Sequence, residues 1–138
     1  MSEKFVFTIR IAYFLLAWLF VVGIVIQVYL VGLSLFVTRS SFFTRRAVLD
    51  SHTGLGHWIG ILPLLMLVLV FLGRFPRSTK IQTGLLFALY LLQAQVFAII
   101  RQDAPIVAAL HPVLALLLFI LTYATARRSL NLITAQSP

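Results

Sequence analysis

The chain has 138 residues, of which 62% are hydrophobic and 10% are charged, and its formal net charge is +8. Soluble domains carry about 25% charged residues, so the composition excludes a soluble domain and is typical of an integral membrane protein. The absence of cysteine excludes disulfides, iron–sulfur clusters and cysteine nucleophiles.

Four apolar segments follow one another along the sequence, at about residues 11–37, 47–73, 81–100 and 105–126. A helix of about 20 residues crosses the hydrocarbon core of a bilayer. The stretches between the segments, "TRSSFFTRR", "RFPRSTK" and "RQDAP", are short and polar, basic or proline-marked. Helices joined by short loops are antiparallel neighbours. The sequence therefore predicts an all-α membrane protein, one domain over residues 1–138, with four transmembrane helices in an up-down-up-down bundle.

Basic residues at the ends of the segments indicate the orientation, because cytoplasmic loops are enriched in lysine and arginine. The side that holds both termini and the second loop has seven basic residues, namely Lys4, Arg10, Arg74, Arg77, Lys80, Arg127 and Arg128. The opposite side has four, namely Arg39, Arg45, Arg46 and Arg101. We therefore expect a multi-pass protein of a bacterial or archaeal cytoplasmic membrane, with both termini in the cytoplasm. No continuous basic face remains for a nucleic acid, so the lipid bilayer is the expected partner.

All three histidines lie near the starts of the second and fourth segments, which this orientation places at the outer face. His52 comes six residues after Arg46, and His111 comes six residues after Pro105, so the two reach similar depths. Neutral imidazoles on facing helices are good axial ligands for haem iron. The sequence therefore predicts one haem per chain, near the outer face, with His52 and His111 bound to its iron.

His57 is the alternative to His52 as the ligand from the second segment. Counted from the cytoplasmic side, His57 is 17 residues before Arg74 and His111 is 16 residues before Arg127, which pairs His57 with His111. The two histidines of the second segment point about 140° apart on a helix, so only one can face a given haem. The two depth counts disagree, and sequence alone leaves both assignments open.

Small residues near the histidines favour His52. Gly56 follows His52 by four residues, and Ala115 follows His111 by the same spacing, so each lies one turn along the same helix face. Missing side-chain bulk leaves room for a flat macrocycle. The alternative is that Gly56 forms a small-residue contact between helices.

Other polar residues fit the same site. Arg45 and Arg46, with Arg39 and Arg101 on the same side, offer a basic rim for haem propionates. Gln27 and Gln95 are expected to face the bundle interior on helical spacing. Together with Gln93 they could bind a haem edge, a quinone oxygen or one another, which makes a quinone a second candidate cofactor.

Three stretches, "FVFTIRIAYFLLAWLFVVGIVIQVYLVGLSLF", "LDSHTGLGHWIGILPLL" and "ALHPVLALLLFILTYATARR", resemble a small four-helix family of bacterial membrane proteins of unknown function. More distantly, the chain is similar to one four-helix half of haem A synthase and to membrane cytochromes b. The matching motifs are His-Arg-x-x-Gly/Ala, here His52 to Gly56, and His-x-x-x-Ala, here His111 to Ala115. Thr53 stands where arginine is usual, and the glutamate that precedes the first histidine is missing. The resemblance therefore implies haem b binding rather than haem A synthesis.

These observations predict a haem b-binding membrane protein that acts as an electron-transfer subunit, with a redox partner or a larger membrane complex. An electron-transfer or accessory role is favoured over that of a stand-alone enzyme. The alternative function is a non-catalytic small subunit, without a cofactor, that packs into a larger respiratory or photosynthetic complex.

The orientation is tested with reporter fusions at Pro138 and within residues 40–44. We expect the two fusions to report opposite sides of the membrane, with the carboxy terminus in the cytoplasm, because seven basic residues oppose four. The reverse result would contradict the orientation and place all three histidines at the cytoplasmic face.

Overall fold

The structure is a computed structural model, and it describes residues 2–37, 44–100 and 103–134. All regular secondary structure in these residues is helical. The helices are α1 (Glu3–Phe36), α2 (Arg45–Ile59), α3 (Ile61–Leu72), α4 (Arg77–Leu91), α5 (Phe97–Ile100), α6 (Pro105–Ala108) and α7 (His111–Thr134), and a π-helical turn (Leu92–Val96) joins α4 to α5. They form four helical spans: α1; α2 with α3; α4 with the π-turn and α5; and α6 with α7.

Four transmembrane segments were predicted, and in the described residues three helices are long and apolar enough to cross a membrane; the third predicted segment, at residues 81–100, is not among them. They cover Glu3–Phe36, Arg45–Leu72 and Pro105–Thr134. Two of them extend well beyond the apolar segments seen in the sequence. The first helix begins at Glu3 rather than near residue 11, where Ser2 caps it by accepting a hydrogen bond from the Phe5 N–H at 3.3 Å. The helix of the fourth segment, α7, continues to Thr134 rather than ending near residue 126. Polar residues continue these helices because their long side chains reach water while the backbone stays hydrogen-bonded.

Two spans are interrupted close to a proline. The second span breaks at Gly60, three residues before Pro63, and the fourth breaks between Ala108 and His111, just before Pro112. A proline lacks the N–H that an interior helical position would donate, but it is tolerated in the first turn of a helix. Each proline therefore lies in the first turn of a new helix, and the break precedes it.

The apolar core lies between α1, α3, α4 and α7. Its most deeply buried large side chains are Tyr13, Phe20, Met66, Val70 and Leu86. α1 packs against α3 and α7, and α4 packs against the same two helices. The Tyr13 hydroxyl and Thr83 Oγ1 lie 2.6 Å apart and form a hydrogen bond that joins the first span to the third through this core.

The turn after α3 is bonded to the beginning of α1. Arg10 donates from Nε to the Gly73 carbonyl at 3.1 Å and from Nη2 to the Arg74 carbonyl at 3.3 Å. Its guanidinium lies 5.6 Å from the centre of the Phe75 ring. Arg74 has a φ of 51°, in the left-handed region. The Arg10 side chain therefore satisfies two carbonyls that the end of a helix leaves without partners.

The opposite end of the second span is much less buried. Among the described residues of α2, Val48 alone is fully buried, whereas α3 buries Pro63, Met66 and Val70. α2 packs against α1. Thus α3 is part of the core, whereas α2 is packed mainly on one side, against α1.

Gly60 lies against the ring of Tyr90, where α2 meets α3. A Cβ atom at Gly60 would overlap the Tyr90 hydroxyl and ring. That ring cannot easily move away, because it is buried, packs edge-on against Phe20 and donates its hydroxyl to the Gly56 carbonyl.

We therefore expect Gly60→Ala to lower the free energy of unfolding by about 1–3 kcal/mol through overpacking. Gly84→Ala is the matched control, since a Cβ atom there would meet nothing within 4 Å. The control should be neutral, or more stable by about 0.5–1 kcal/mol, because glycine weakens a helix interior. Thermal unfolding of both variants in detergent is the measurement. Equal stability of the two variants would contradict the packing described at Gly60.

Candidate cofactor site

The imidazoles of His52 and His111 face each other at the less buried end of the bundle. Their ring centres are 6.3 Å apart, and the ring planes make an angle of 74°. His52 lies in the middle of α2, and His111 is the first residue of α7. Both side chains are half-buried. The second and fourth spans therefore bring together two imidazoles from distant parts of the sequence.

The His52 ring is held by the backbone of α1. Its Nδ1 lies 3.2 Å from the carbonyl oxygen of Gln27. A carbonyl can only accept, so Nδ1 carries the proton and Nε2 keeps a free lone pair. This is the form of histidine that binds a metal through Nε2, with the ring orientation fixed by the hydrogen bond at Nδ1.

His111 is held by Gln93, which lies in the π-turn of the third span. The Gln93 side chain donates from Nε2 to the His111 carbonyl at 2.9 Å. The backbone of Gln93 also lies close to the His111 ring. π-Turns often occur at functional sites. Gln93 therefore contacts His111 through both its side chain and its backbone.

The two glutamine side chains have buried atoms without hydrogen-bond partners. Gln27 is 9% exposed and Gln93 is 8% exposed. In the part of the chain that the structure describes, the atoms concerned are both carboxamide atoms of Gln27 and Oε1 of Gln93, with Thr79 Oγ1 as the one other case. Three of the four orphaned atoms thus belong to the residues that hold the two histidines.

Gly56 and Ala115 lie beside the pair, one turn along from each histidine. Both are half-buried. A Cβ atom at Gly56 would lie 3.5 Å from Gln27 Nε2, so the Gln27 carboxamide occupies the space next to this glycine. The Gly56 carbonyl accepts a hydrogen bond of 2.9 Å from the Tyr90 hydroxyl.

His57 does not face His111. It is exposed, and its Nδ1 donates to the Thr53 carbonyl one turn earlier in α2, at 2.9 Å. Of the two depth counts, the one made from the outer side identifies the histidine that meets His111.

Arg45 and Arg46 are both exposed at the start of α2. They line an open groove together with Leu49, Asp50, Thr53 and Gly54. Arg46 Nε lies 3.9 Å from Asp50 Oδ2, with both side chains largely in solvent. Arg45 precedes His52 by two helical turns, on the same face, whereas Arg46 points elsewhere. Arg39 and Arg101, predicted to join the same basic rim, lie outside the described residues.

The sequence interpretation was correct for Gln27 and wrong for Gln95. Gln27 is buried as expected, but Gln95 is exposed, and Gln93 is the glutamine that faces inward. Gln93 continues the buried face of Leu86 and Tyr90, at spacings of four and three residues, which the sequence could have shown. The π-turn between residues 92 and 96 changes the helical phase, and helical spacing alone does not reveal such a turn.

The placement of the three histidines can be tested by chemical modification. Diethyl pyrocarbonate reacts with accessible unprotonated imidazoles, so we expect His57 to be modified first, followed by the half-buried His52 and His111. Timed modification in detergent, read by peptide mass spectrometry, gives the three rates. A His57→Gln variant is the control and should lose only the fast reaction. A faster rate at His111 than at His57 would contradict the geometry described.

A comparison of the sequence with protein families gives one match. The model of a family of unknown function, DUF6220, matches residues 27–99, which is more than half of the chain. The match includes Gln27, His52, Gly56 and Gln93, while His111 lies after its end. No curated protein and no solved structure matches the chain, so the likeness to haem A synthase and cytochromes b stays a prediction. The chain belongs to DUF6220, a family of unknown function.

Proposed function

We propose that this protein binds one haem b and acts as an electron-transfer subunit, with His52 and His111 as the two axial ligands. The observation that carries the proposal is the facing pair of imidazoles, with ring centres 6.3 Å apart. A metal–imidazole nitrogen bond is about 2 Å long. Two imidazoles on opposite sides of one iron therefore have ring centres about 6 Å apart. The observed separation fits one metal ion between the rings.

The chemistry of the donor set favours haem over a free metal ion. Among the described residues, no group of three or more histidine, cysteine or acidic side chains is placed to hold a metal. A structural or catalytic zinc ion needs three or four protein ligands. A porphyrin supplies four nitrogens of its own and leaves two axial positions, which is the number of imidazoles present.

The hydrogen bonds behind the imidazoles support the same function. The Gln27 carbonyl bonds to the His52 ring, and the Gln93 backbone lies close to the His111 ring. Hydrogen bonds of the first kind orient a histidine ligand and raise its basicity. Haem, when bound, supplies reversible one-electron chemistry. If His52 and His111 both held the iron, no coordination site would be left for a substrate. This favours electron transfer with a redox partner over catalysis.

In this proposal the four spans cross the bilayer up and down, with both termini in the cytoplasm. Contacts between the first two spans support antiparallel neighbours. Arg10, early in α1, bonds to Gly73 and Arg74 after α3, whereas Gln27, late in α1, contacts His52 in α2. The histidine pair then lies toward the outer face. The pairing of the second and fourth spans is also what the resemblance to haem A synthase and cytochromes b implies.

A pyridine haemochrome assay on detergent-purified protein tests the proposal directly. We expect about one haem b per chain, with the absorption spectrum of low-spin, six-coordinate iron. His52→Ala and His111→Ala should each abolish that spectrum, because each removes a metal bond. His57→Ala is the matched control and should leave the spectrum intact.

Three results would contradict this assignment. A ratio near two haems per chain, or a high-spin spectrum in the wild type, would exclude a single bis-histidine haem. Loss of the spectrum in His57→Ala, with retention in His52→Ala, would show that His57 rather than His52 is the ligand from the second span. Protein without haem after expression with haem supplementation would favour the alternative function, a structural subunit of a larger complex.

A further inference from the structure

We propose that the basic end of the bundle binds one anionic phospholipid, with its phosphate beside Arg128 and Ser78 and its acyl chains along α4 and α7. The inference goes beyond the proposed function, because it concerns the end of the molecule opposite the histidine pair and needs no haem. It uses only the membrane position proposed above for the spans.

Contacts between four helices gather basic side chains at this end. Arg10 of α1 bonds to the turn after α3. Lys80 of α4 places its Nζ 5.4 Å from the centre of the Phe71 ring in α3. Arg128 of α7 donates from Nη2 to Ser78 Oγ in α4 at 3.0 Å. The start of α4 and the end of α7 therefore lie side by side at the basic end.

The positive charge at this end has little negative charge to balance it. Seven basic residues of the sequence belong here, whereas Glu3 is the one acidic residue of the three that shares this end. Asp50 and Asp103 lie toward the histidine end. Within the described ranges the one ion pair is that of Arg46 with Asp50. An anionic ligand would compensate charge that the chain itself leaves unbalanced.

Arg128 and Ser78 form the centre of the proposed head-group site, and each is preceded by a further arginine. Arg77, Ser78, Arg127 and Arg128 are all exposed. Guanidinium groups bind phosphate oxygens through charge-assisted hydrogen bonds, which can be bidentate. The Ser78 hydroxyl accepts from Arg128 and still has a proton to donate. Two neighbouring helices thus bring donors and positive charge to one position, which suits a phosphate group.

Exposed apolar side chains continue from this position along both helices. On α4, Ile81 and Leu85 follow Ser78 by three and seven residues on the same helix face, and they are 54% and 59% exposed. On α7, Leu117 precedes Arg128 by three helical turns and is 49% exposed. A phosphate position that continues into apolar surface on two adjacent helices matches a phospholipid, which has a charged head group and two acyl chains.

The position of the site along the helices favours a lipid over a soluble anion. Basic residues at the end of an apolar helix lie at the boundary between hydrocarbon and water. A phosphate bound at Ser78 and Arg128 would therefore lie at the depth of a phospholipid head group. In the proposed orientation this boundary belongs to the cytoplasmic leaflet, whose anionic lipids attract basic segments.

The test measures lipid binding by full-length, delipidated protein in a non-ionic detergent, using native mass spectrometry. Dioleoyl phosphatidylglycerol is the anionic probe, and dioleoyl phosphatidylcholine, whose head group has no net charge, is the comparison. We expect one bound phosphatidylglycerol per chain, with phosphatidylcholine bound about fivefold more weakly or less. Absence of bound phosphatidylglycerol, or equal affinity for the two lipids, would overturn the proposal.

Arg128→Gln should weaken phosphatidylglycerol binding about fivefold or more, because it removes a charged donor to the phosphate. Lys4→Gln is the matched control, since it removes the same charge from an exposed residue at the same end, but on α1. The control should change binding less than about twofold, because salt screens charges that lie outside the site. Equal losses in the two variants would show a diffuse attraction to the basic end and overturn the site.

Arg77→Gln is a second variant, which leaves the bond between Arg128 and Ser78 in place and keeps the test decisive if Arg128→Gln does not fold. It should also weaken binding more than Lys4→Gln does, and an effect no larger than the control would contradict the site. Glycerophosphoglycerol and inorganic phosphate carry the anion without acyl chains. Neither should displace the lipid at millimolar concentration, and displacement by either would identify a site for a soluble anion instead.

Discussion

Polar atoms inside an apolar helical bundle have almost no water within reach, so each needs a partner from the protein or from a ligand. Most of the buried hydroxyls of this molecule meet the requirement locally. Thr83, Thr122 and Thr125 each donate to the carbonyl four residues earlier in their own helix. Tyr13 then bonds to Thr83 across the core. Among the described residues, both carboxamide atoms of Gln27 and Oε1 of Gln93 are exceptions, because they are buried without a hydrogen-bond partner.

The two ends of the molecule differ in how firmly they are held. At one end, Arg10 bonds to two carbonyls of the turn after α3, and the core side chains of α1, α3, α4 and α7 pack beside it. At the other end, α2 buries one residue fully and continues into α3 through Gly60. Segments with few buried contacts open at low free energy, and ligand sites are drawn from such segments. The histidine pair thus lies at the end of the molecule that is held less firmly.

Each glutamine contacts one histidine in this arrangement. The Gln27 carbonyl accepts a hydrogen bond from His52, while the Gln27 side chain has no hydrogen-bond partner. The Gln93 backbone lies close to the His111 ring, and Gln93 Nε2 donates to the His111 carbonyl. Imidazole orientation therefore depends mainly on backbone positions, which are set by α1 and by the π-turn.

Composition and segment length were enough to determine that the chain is helical and has segments able to cross a membrane, because burial of apolar side chains in lipid leaves a helix as the way to satisfy the backbone. The sequence also placed all histidines at the starts of two spans. Only the tertiary structure decided that His52 rather than His57 faces His111, since two depth counts of similar merit disagreed. It also decided that Gln93, not Gln95, faces inward. The first outcome depends on the break at Gly60, which changes the helical phase by an amount that a regular 3.6-residue period cannot anticipate. Gln93 itself lies on the regular spacing of Leu86 and Tyr90, whereas the π-turn around it changes the phase before Gln95.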